Sequence, residues 1–520
     1  MDTAFTPWPD EFVSRYREHG YWSGDTFVDL LDQRVATHGD HIAAIDSHGS
    51  LTYSQVRNAA DQLAAGFYAQ GLRGGDIAVV QTENSRHHLV LLFALFRIGV
   101  VPVCALPAHR KAEIGYFCRH TAAAVYIHPG GGEFEQLAQE VSNDVAQVFT
   151  ASQALSLTGS VDNLPPKPKS DQQALMQLSG GSTGVPKLIP RTHDDYLYSV
   201  RIAAELCELD EETVFLCALP AAHNFPLSSP GVLGAVYAGA QVVYATDPSP
   251  DMVFPLIDKH AITMTAVVPA IAAMWVAAAQ SRKWKPEFLQ LLQVGGAALD
   301  PDRARDIPRH LGAALQQVFG MAEGLVCYTR LDDQDEIVYL TQGRPASDAD
   351  EIRIVDDSDQ PVPEGEPGHL LTRGPYTVRG YYRSDDHNRE AFTTNGFYRT
   401  GDVVRRSHSG NLVVCGRAKD QINRGGEKIS APEIELILRQ HPEITDAALI
   451  GVPDAHLGQR SCAVCVCADP NLTARQLREF VRGAGVAQYK VPDLVRFRPQ
   501  LPRTAIGKVD KQQLREEMTT

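Results

Sequence analysis

Residues 179–187, Ser-Gly-Gly-Ser-Thr-Gly-Val-Pro-Lys, follow an apolar segment that predicts a buried strand. The glycines allow backbone N–H groups to approach an anion, Ser182 and Thr183 supply hydroxyl donors, and Lys187 supplies positive charge. The stretch is not a Walker A sequence, because Pro186 precedes the lysine and the glycine spacing differs. It therefore predicts either a phosphate-binding loop of another architecture or an ordinary turn rich in Gly and Ser.

Three charged residues elsewhere carry chemistry that complements a phosphate loop. Glu323 stands among small residues in the segment VFGMAEG, where a carboxylate suits Mg²⁺ held together with phosphates. Asp402 ends the segment YRTGD, and its carboxylate is suited to accept hydrogen bonds from a ribose diol. Lys508 lies in a Gly-Lys turn, where an ammonium stabilises charge that develops in a transition state. Taken singly, these residues also fit a helix-start acid, a turn acid and a solvated lysine.

The elements that must position these residues alternate apolar runs with helical patterns over residues 1–400. Runs such as DIAVVQT, VVPVCAL, AAVYIH and AQVVYAT predict buried strands in the βα units of an α/β fold. From about residue 340, shorter strands and turn residues predict a β-rich subdomain, and a last segment has strands and helices of its own. We therefore expect a large domain over residues 1–416 and a small α+β domain over residues 417–520.

Three segments carry further structural expectations. Ser430 and Glu433, in the sequence SAPE, predict a capping box at the start of a helix. Residues 223–231, HNFPLSSPG, predict a polar and aromatic loop. The cysteines of SCAVCVC, residues 461–467, favour a β-strand with small apolar side chains over a metal site, because no further ligands stand nearby.

The bulk composition limits the classes of partner. The chain has 520 residues, which favours two or more domains, and its net charge of −15 gives no general attraction to nucleic acid or anionic membranes. The most apolar stretch, residues 88–107, contains Arg97 and Pro102, which favours a buried helix and a strand over a membrane span. The acidic N-terminus resembles neither a signal nor a transit peptide, so the expected location is cytoplasmic.

Six motifs, in order along the chain, resemble those of the adenylate-forming enzymes, which include acyl-CoA synthetases, adenylation domains of nonribosomal peptide synthetases and firefly luciferase. The motifs are LTYSQV, LLFALFRIGVVPV, SGGSTGVPK, YRTGD, GRAKDQINRGGEKIS and RTAIGKVDK. The resemblance covers nearly the whole chain. The segments LSGGSTGVPKLIPRTH, HNFPLSSPG, QVFGMAEGLVCYTRLDD and DQINRGGEKI further resemble the stand-alone aryl-acid ligases of siderophore pathways, above all the 2,3-dihydroxybenzoate–AMP ligases.

The resemblance implies a two-step reaction that uses ATP and Mg²⁺. In the first step a hydroxybenzoate is adenylated, and in the second it passes to the phosphopantetheine thiol of a holo aryl carrier protein. Nothing in this chain resembles a carrier domain, so we expect the carrier to be a separate protein. The C-terminal domain is implied to be mobile, with Lys419 at the hinge position of the family.

The resemblance also implies the residues that hold ATP. They are Ser179, Gly180, Gly181, Ser182, Thr183, Gly184, Lys187, Gly295, Gly296, Ala297, Phe319, Asp402 and Arg417. In this set the loop holds the phosphates, Phe319 stacks on adenine, and Asp402 and Arg417 contact the ribose. Glu323 serves Mg²⁺, and Lys508 bridges the substrate carboxylate and the α-phosphate.

By the same resemblance, six residues form the acid pocket: His223, Asn224, Phe225, Ser229, Val318 and Val326. Asn224 would hydrogen-bond an ortho-hydroxyl, and Ser229 a hydroxyl one position further round the ring. Salicylate-activating relatives tend to carry Cys in place of Ser229, and a buried hydroxyl left unpaired costs about 1–3 kcal/mol, which favours 2,3-dihydroxybenzoate. Phe225 and Cys327 stand where Tyr and Asn are usual, which leaves open salicylate or a hydroxylated heteroaryl acid such as 3-hydroxypicolinate.

Three other functions remain as alternatives at the level of sequence. An aryl-CoA ligase differs only in its thiol acceptor, and the sequence discriminates weakly between the two. A non-catalytic nucleotide-binding homologue is disfavoured, because Lys187, Glu323, Asp402, Arg417 and Lys508 are all retained. A dinucleotide-dependent oxidoreductase is disfavoured, because no G-x-G-x-x-G follows an early strand.

Overall fold

The computed structural model of the protein describes residues 5–179, 187–420, 422–424, 427–454, 457–484, 486, 488–504 and 507–519. The chain forms two compact units. The first comprises Met1–Glu351 and Thr372–Tyr398, and the second comprises Ile352–Leu371 and Arg399–Thr520. The β-rich segment after residue 340 is thus shared between the units, and the domain boundary expected at residues 416–417 stays a prediction.

The strands up to residue 345 are β1 (Ile42–Asp46), β2 (Gly49–Thr52), β3 (Ile77–Gln81), β4 (Val101–Ala105), β5 (Val125–His128), β6 (Gln147–Thr150), β7 (Gln173–Leu178), β8 (Leu188–Thr192), β9 (Val214–Cys217), β10 (Gln241–Tyr244), β11 (Met264–Val267), β12 (Leu291–Gly295), β13 (Ala314–Gly320), β14 (Val326–Tyr328) and β15 (Arg344–Pro345). The later strands are β16 (Glu351–Val355), β17 (Gly368–Arg373), β18 (Tyr398–Arg406), β19 (Leu412–Arg417), β20 (Ile422–Arg424), β21 (Glu427–Ile429), β22 (Ile444–Asp454), β23 (Gly458–Cys467) and β24 (Leu494–Phe497).

The helices up to residue 282 are α1 (Asp10–Glu18), α2 (Phe27–His38), α3 (Tyr53–Ala69), α4 (His87–Arg97), α5 (Lys111–Thr121), α6 (Gly132–Val141), α7 (Ala151–Leu155), α8 (His193–Leu206), α9 (Asn224–Ser228), α10 (Gly231–Ala238), α11 (Pro250–Lys259) and α12 (Pro269–Arg282). The later helices are α13 (Pro301–Leu311), α14 (Asp335–Leu340), α15 (Asp385–Ala391), α16 (Ala431–Arg439), α17 (Ala474–Gly483) and α18 (Lys511–Thr519).

Two largely parallel sheets form the framework of the first unit. One has nine strands in the order β15-β14-β13-β12-β11-β9-β10-β1-β2, and the other has six in the order β6-β5-β3-β4-β7-β8. The antiparallel partners β2, β8, β14 and β15 lie at or next to sheet edges. Every residue of β3, β4 and β5 is buried, as expected for parallel strands covered on both faces. The predicted α/β fold is confirmed, and α4 followed by β4 is the expected helix and strand.

The second unit is α+β, as predicted. Its sheets have the orders β16-β17-β18-β19 and β21-β20-β23-β22, with β24 paired to β23. Ile434, Leu438, Leu449, Cys465 and Leu477 belong to the core between the second of these sheets and its helices. The SCAVCVC segment lies within β23, which confirms the strand prediction. Within the part of the chain that the structure describes, no group of three or more His, Cys, Asp or Glu residues is arranged to hold a metal ion.

Two local predictions are wrong. The helix after SAPE begins where expected, but Ser430 donates its hydroxyl hydrogen to the Cys415 carbonyl (2.7 Å) and Glu433 pairs with Lys490, so no capping box forms. The segment HNFPLSSPG contains the short helix α9 rather than only a loop, because the His223 side chain accepts a hydrogen bond from the Phe225 backbone and caps it. Among the described residues, no helix has the length and apolar character needed to cross a membrane.

Candidate active site

The glycine-rich loop is the turn of the hairpin formed by β7 and β8. At its base the Ser179 backbone N–H donates to the Lys187 carbonyl oxygen, and the Lys187 N–H donates to Ser179 Oγ, both at 2.9 Å. These two hydrogen bonds hold the two ends of the loop together and fix the position of Lys187 just before β8 begins. The predicted phosphate ligands between them, Gly180, Gly181, Ser182, Thr183 and Gly184, lie outside the described residues.

Lys187 and Glu323 are brought together by Tyr381, a residue that the sequence did not predict. The Lys187 ammonium lies over the Tyr381 ring, 5.8 Å from its centroid. The Tyr381 hydroxyl donates to Glu323 Oε1 at 2.7 Å and lies 2.9 Å from the hydroxyl of Tyr398. Burial raises the pKa of Tyr381, and the charge of Glu323 raises it further, so this hydroxyl keeps its proton and remains a donor.

The backbone around Glu323 is held from two sides. Arg191, on the strand that follows the loop, donates from Nη1 to the Ala322 carbonyl oxygen at 2.8 Å, and its guanidinium also pairs with Asp195. The Val378 N–H donates to the Glu323 carbonyl oxygen at 2.8 Å. Because Arg191 and Val378 are both buried, these contacts fix the backbone at Glu323 relative to β8.

The environment of Glu323 fits a bound cation. The residue is only 6% exposed, yet among the described residues no Lys, Arg or His nitrogen forms a salt bridge with it. Within the same residues, Oε1 is held by Tyr381 and Oε2 accepts no hydrogen bond. Since a buried carboxylate is costly without a compensating charge, and carboxylate oxygens are ligands that Mg²⁺ prefers, the site suits a Mg²⁺ ion carried with phosphates.

The predicted adenine-binding segments lie at the ends of two neighbouring strands. Gly295 ends β12 and pairs with Val318 of the parallel strand β13, on which Phe319 is the next residue. A Cβ at Gly295 would lie 2.7 Å from the Val318 carbonyl oxygen and 3.0 Å from Cζ of Phe225, so only glycine fits there. Gly296, with φ +83°, leads the chain away from the sheet towards Ala297. The carboxyl ends of parallel strands are a common place for nucleotides to bind.

The predicted acid-pocket residues lie beside these strand ends. Asn224 and Phe225 are the first residues of α9, and the Phe225 ring packs on Gly295. Val318 and Val326 are buried on the antiparallel strands β13 and β14. Ser229 is 3% exposed, beside the buried hydroxyl of Tyr328, which makes no hydrogen bond of good geometry within the described residues. The pocket residues and the nucleotide strands therefore adjoin within one unit.

The second unit contains its own group of predicted site residues. Asp402 and Arg417 are directly paired on β18 and β19, and Arg417 Nε donates to Asp402 Oδ1 at 2.9 Å. Burial raises the pKa of Asp402, while the positive charges of Arg417 and Lys508 oppose that rise. Lys508 is therefore close enough to act on the Asp402 carboxylate. It ends a turn closed by the Thr504 N–H, which donates to the Lys508 carbonyl oxygen at 2.7 Å.

The hinge candidate is described only by its backbone. Lys419 is the middle residue of the short helical turn Ala418–Asp420 that follows β19. Asp420 accepts a hydrogen bond from Arg515 at 2.6 Å, which ties this turn to α18. Lys419 thus lies just after the end of a strand, where a change of backbone torsions does not break a sheet.

These features together are those of a nucleotide-dependent α/β enzyme with a separate C-terminal unit. Residues 31–382 match the family described as "AMP-binding enzyme". Residues 433–508 match the family described as "AMP-binding enzyme C-terminal domain". The chain is 50% identical to the 2,3-dihydroxybenzoate-AMP ligase of Bacillus subtilis (strain 168), over 100% of this chain and 98% of that one. It is 47% identical to the vibriobactin-specific 2,3-dihydroxybenzoate-AMP ligase of Vibrio cholerae, over 100% and 99%.

A solved structure supports the same assignment. The apo structure of Mycobacterium smegmatis MbtA is 43% identical, with a TM-score of 0.75, and the match covers 99% of each chain. The chain belongs to the AMP-binding enzyme family, whose members are adenylate-forming ligases that use ATP.

Proposed function

We propose that this protein adenylates an aryl carboxylic acid, 2,3-dihydroxybenzoate, and then transfers the acyl group to the phosphopantetheine thiol of a separate holo aryl carrier protein in siderophore biosynthesis. The observation that carries the proposal is the packing of Phe225 against Gly295, which joins the acid-pocket helix to the nucleotide strand. An acid held by α9 therefore lies next to a nucleotide held at the end of β12. The choice of 2,3-dihydroxybenzoate as the acid rests on the names of the similar ligases from B. subtilis and V. cholerae.

In the first half-reaction a carboxylate oxygen of the acid attacks the α-phosphorus of ATP, and pyrophosphate leaves. Two anions must approach each other, so fixed positive charge is the main requirement. Lys187 and the loop of residues 179–187 hold the departing phosphates, and Lys508 supplies charge to the carboxylate and the α-phosphate. Asp402 and Arg417 bind the ribose, and Phe319 stacks on adenine. A Mg²⁺ ion held by Glu323 would neutralise phosphate charge when bound.

In the second half-reaction the carrier thiol attacks the acyl-adenylate, and AMP leaves. The thiol must reach the acyl carbonyl carbon, which the first step keeps away from water. A reorientation of the C-terminal domain between the two steps suits both requirements. We assign the hinge of this domain motion to Lys419, in the short turn that follows β19. Coenzyme A is the competing acceptor.

The pocket residues favour an acid with two neighbouring hydroxyls. We assign Asn224 to an ortho-hydroxyl, and Ser229, which is buried beside Tyr328, to a second hydroxyl. An acid without the second hydroxyl leaves the Ser229 hydroxyl without a ligand partner, at a cost of about 1–3 kcal/mol. Salicylate and 3-hydroxypicolinate are therefore the next candidates.

The test is ATP–pyrophosphate exchange with benzoate, salicylate, 2,3-dihydroxybenzoate, 3-hydroxypicolinate and several amino acids. We expect the highest kcat/KM with 2,3-dihydroxybenzoate, and thioester formation that is faster with holo-carrier than with coenzyme A. A preference for another aryl acid would change the assigned substrate but leave the assigned reaction in place. No exchange with any acid, for folded protein with Mg²⁺, would favour a non-catalytic nucleotide-binding homologue.

A further inference from the structure

The amide of Asn224 is held in one orientation by neighbouring hydroxyls. Its Oδ1 accepts a hydrogen bond from the Tyr196 hydroxyl at 2.8 Å. The Ser228 hydroxyl, one turn further along α9, has two acceptors within reach, the Asn224 main-chain carbonyl oxygen at 3.1 Å and Oδ1 at 3.3 Å. Because the Tyr196 hydroxyl is the closer donor to Oδ1, a flipped amide would place its N–H groups against that O–H group. The amide oxygen is therefore occupied by the protein.

Tyr196 acts as a donor in this arrangement rather than an acceptor. It lies on α8 and is fully buried, and Gln177 Nε2 on β7 donates to its oxygen at 3.3 Å. Burial raises the pKa of Tyr196, so the hydroxyl keeps its proton. A hydroxyl that accepts from Gln177 directs its single hydrogen elsewhere, and Asn224 Oδ1 is the acceptor within reach. The chain of hydrogen bonds thus runs from Gln177 through Tyr196 to Asn224.

The other end of the Asn224 amide is left for a ligand. Among the described residues, no protein acceptor receives a hydrogen bond from Nδ2. We propose that Tyr196 is a positioning residue for specificity, which holds the Asn224 NH₂ group towards the aryl acid and so selects acids with a hydrogen-bond acceptor ortho to the carboxylate. The inference rests on the proposed function and narrows its substrate class.

The chemistry of ortho substituents gives this orientation a clear consequence. A phenolic hydroxyl donates its hydrogen to the neighbouring carboxylate and leaves oxygen lone pairs for the amide NH₂, and a ring nitrogen ortho to the carboxylate also accepts. An ortho-amino group has its lone pair delocalised into the ring, and its second N–H would face the N–H of Asn224. In a complex with anthranilate, two N–H donors would therefore face each other, whereas benzoate only lacks one hydrogen bond.

The test compares kcat/KM for ATP–pyrophosphate exchange with salicylate, benzoate and anthranilate, in the wild-type protein and in Tyr196→Phe. We expect the wild-type order salicylate, benzoate, anthranilate. In Tyr196→Phe the ring packing stays and the amide is freed to turn, so the salicylate-to-anthranilate ratio should fall about tenfold. The ratio is measured within one preparation, so a loss of folded enzyme, which lowers both values equally, does not change it.

Tyr198→Phe is the matched control. Tyr198 lies two residues along α8, is buried, and bonds Ser347 Oγ at 2.6 Å instead of Asn224. It should leave the ratio unchanged. Should Tyr196→Phe fold poorly, Ser228→Ala removes the longer contact to Oδ1 and should shift the ratio in the same direction by a smaller factor.

Two results would overturn the inference while the proposed function stands: wild-type use of anthranilate as efficient as that of salicylate, or an unchanged ratio in Tyr196→Phe with active enzyme. No ATP–pyrophosphate exchange with any of the three acids or with 2,3-dihydroxybenzoate would overturn the proposed function, and this inference with it.

Discussion

Two buried carboxylates, one in each unit, are stabilised in opposite ways. Glu323 in the first unit is held by the neutral hydroxyl of Tyr381, and within the described residues no basic group pairs with it. Asp402 in the second unit is paired with the guanidinium of Arg417, and Lys508 adds positive charge. Both side chains are nearly inaccessible, at 6% and 3% exposed. The difference therefore lies in the charge of the partner and not in burial.

The difference separates two kinds of ligand. A neutral donor stabilises a carboxylate without cancelling its charge, which is the environment expected of a metal ligand. A guanidinium cancels the charge, so Asp402 keeps only its capacity to accept hydrogen bonds, which suits ribose hydroxyls. Within the described residues, the hydrogen-bond partner of the Glu323 carboxylate is thus uncharged, whereas the partner of the Asp402 carboxylate is positively charged.

The largest effect is expected from removing a charge in the second unit. Lys508→Ala should lower the rate of adenylate formation at least about 100-fold, the scale for losing one electrostatic group that acts in the transition state. ATP–pyrophosphate exchange with the preferred acid measures it. Lys511→Ala is the control, because it removes a nearby lysine that pairs with Glu435. An exchange rate in Lys508→Ala close to that of the control would contradict the assignment.

A change of backbone freedom at Lys419 should affect only one half-reaction. Lys419→Pro restricts the φ torsion at the proposed hinge, so thioester formation should fall at least about tenfold while exchange stays near the wild-type rate. Single-turnover transfer to the holo-carrier separates the two steps. Lys419→Ala removes the side chain and keeps the torsional freedom, so it should resemble the wild type. Equal losses of both half-reactions in Lys419→Pro would argue against a hinge.

The sequence predicted the residues that carry charge better than the residues that hold them. Glu323, Asp402 and Lys508 stand in short motifs with Gly or small neighbours, and such motifs are visible in one sequence. Tyr381 and Tyr196 form hydrogen bonds to residues 58 and 28 positions away, and the neighbouring sequence gives no sign of such a partner. These positioning contacts arise only when β7, β8, α8 and the segment around Tyr381 pack together.

The same limit explains the elements that sequence patterns missed or misassigned. Buried strands were predictable because their apolar runs are continuous, as in β3 and β4. The capping box at Ser430 was wrong because Cys415 and Lys490, remote in sequence, compete for Ser430 and Glu433. The helix α9 was missed because it is a single turn whose cap is a histidine. Tertiary partners decided each case.

A more moderate effect is expected when the neutral partner of Glu323 is removed. Tyr381→Phe leaves the ring beneath Lys187 and deletes the hydrogen bond to Oε1, so the carboxylate is free to rotate away from the cation. We expect the apparent affinity for Mg²⁺ at fixed ATP to weaken about tenfold, the scale of a hydrogen bond to a charged group. Calorimetric titration of Mg²⁺–ATP measures binding apart from turnover. Tyr382→Phe, the adjacent buried tyrosine, is the control, and equal weakening in both variants would refute a specific role.

The last effect concerns stability alone and tests whether a neutral hydrogen bond also supports the backbone near Glu323. Asp350 accepts a hydrogen bond from Tyr376, whose carbonyl oxygen in turn accepts from Arg191, the residue that holds the Glu323 loop. Burial raises the pKa of Asp350 to about 7, against an ordinary value of 3.8. Between these values the folded protein binds a proton that the unfolded chain does not. The stability that this proton gives is complete below about pH 4 and is lost as the pH rises through about 7.

Asp350→Asn replaces the protonated acid by a neutral group of the same shape. It should remove up to about 1.4 kcal/mol of destabilisation for each pH unit between pH 4 and 7, and change nothing further above pH 7. Unfolding midpoints measured from pH 5 to 8 should therefore fall less steeply in the variant than in the wild type. Asp348→Asn, an exposed neighbour, should leave the slope unchanged. If the two variants give the same pH dependence, Asp350 is ionised in the folded protein, and its contact with Tyr376 is not a neutral hydrogen bond.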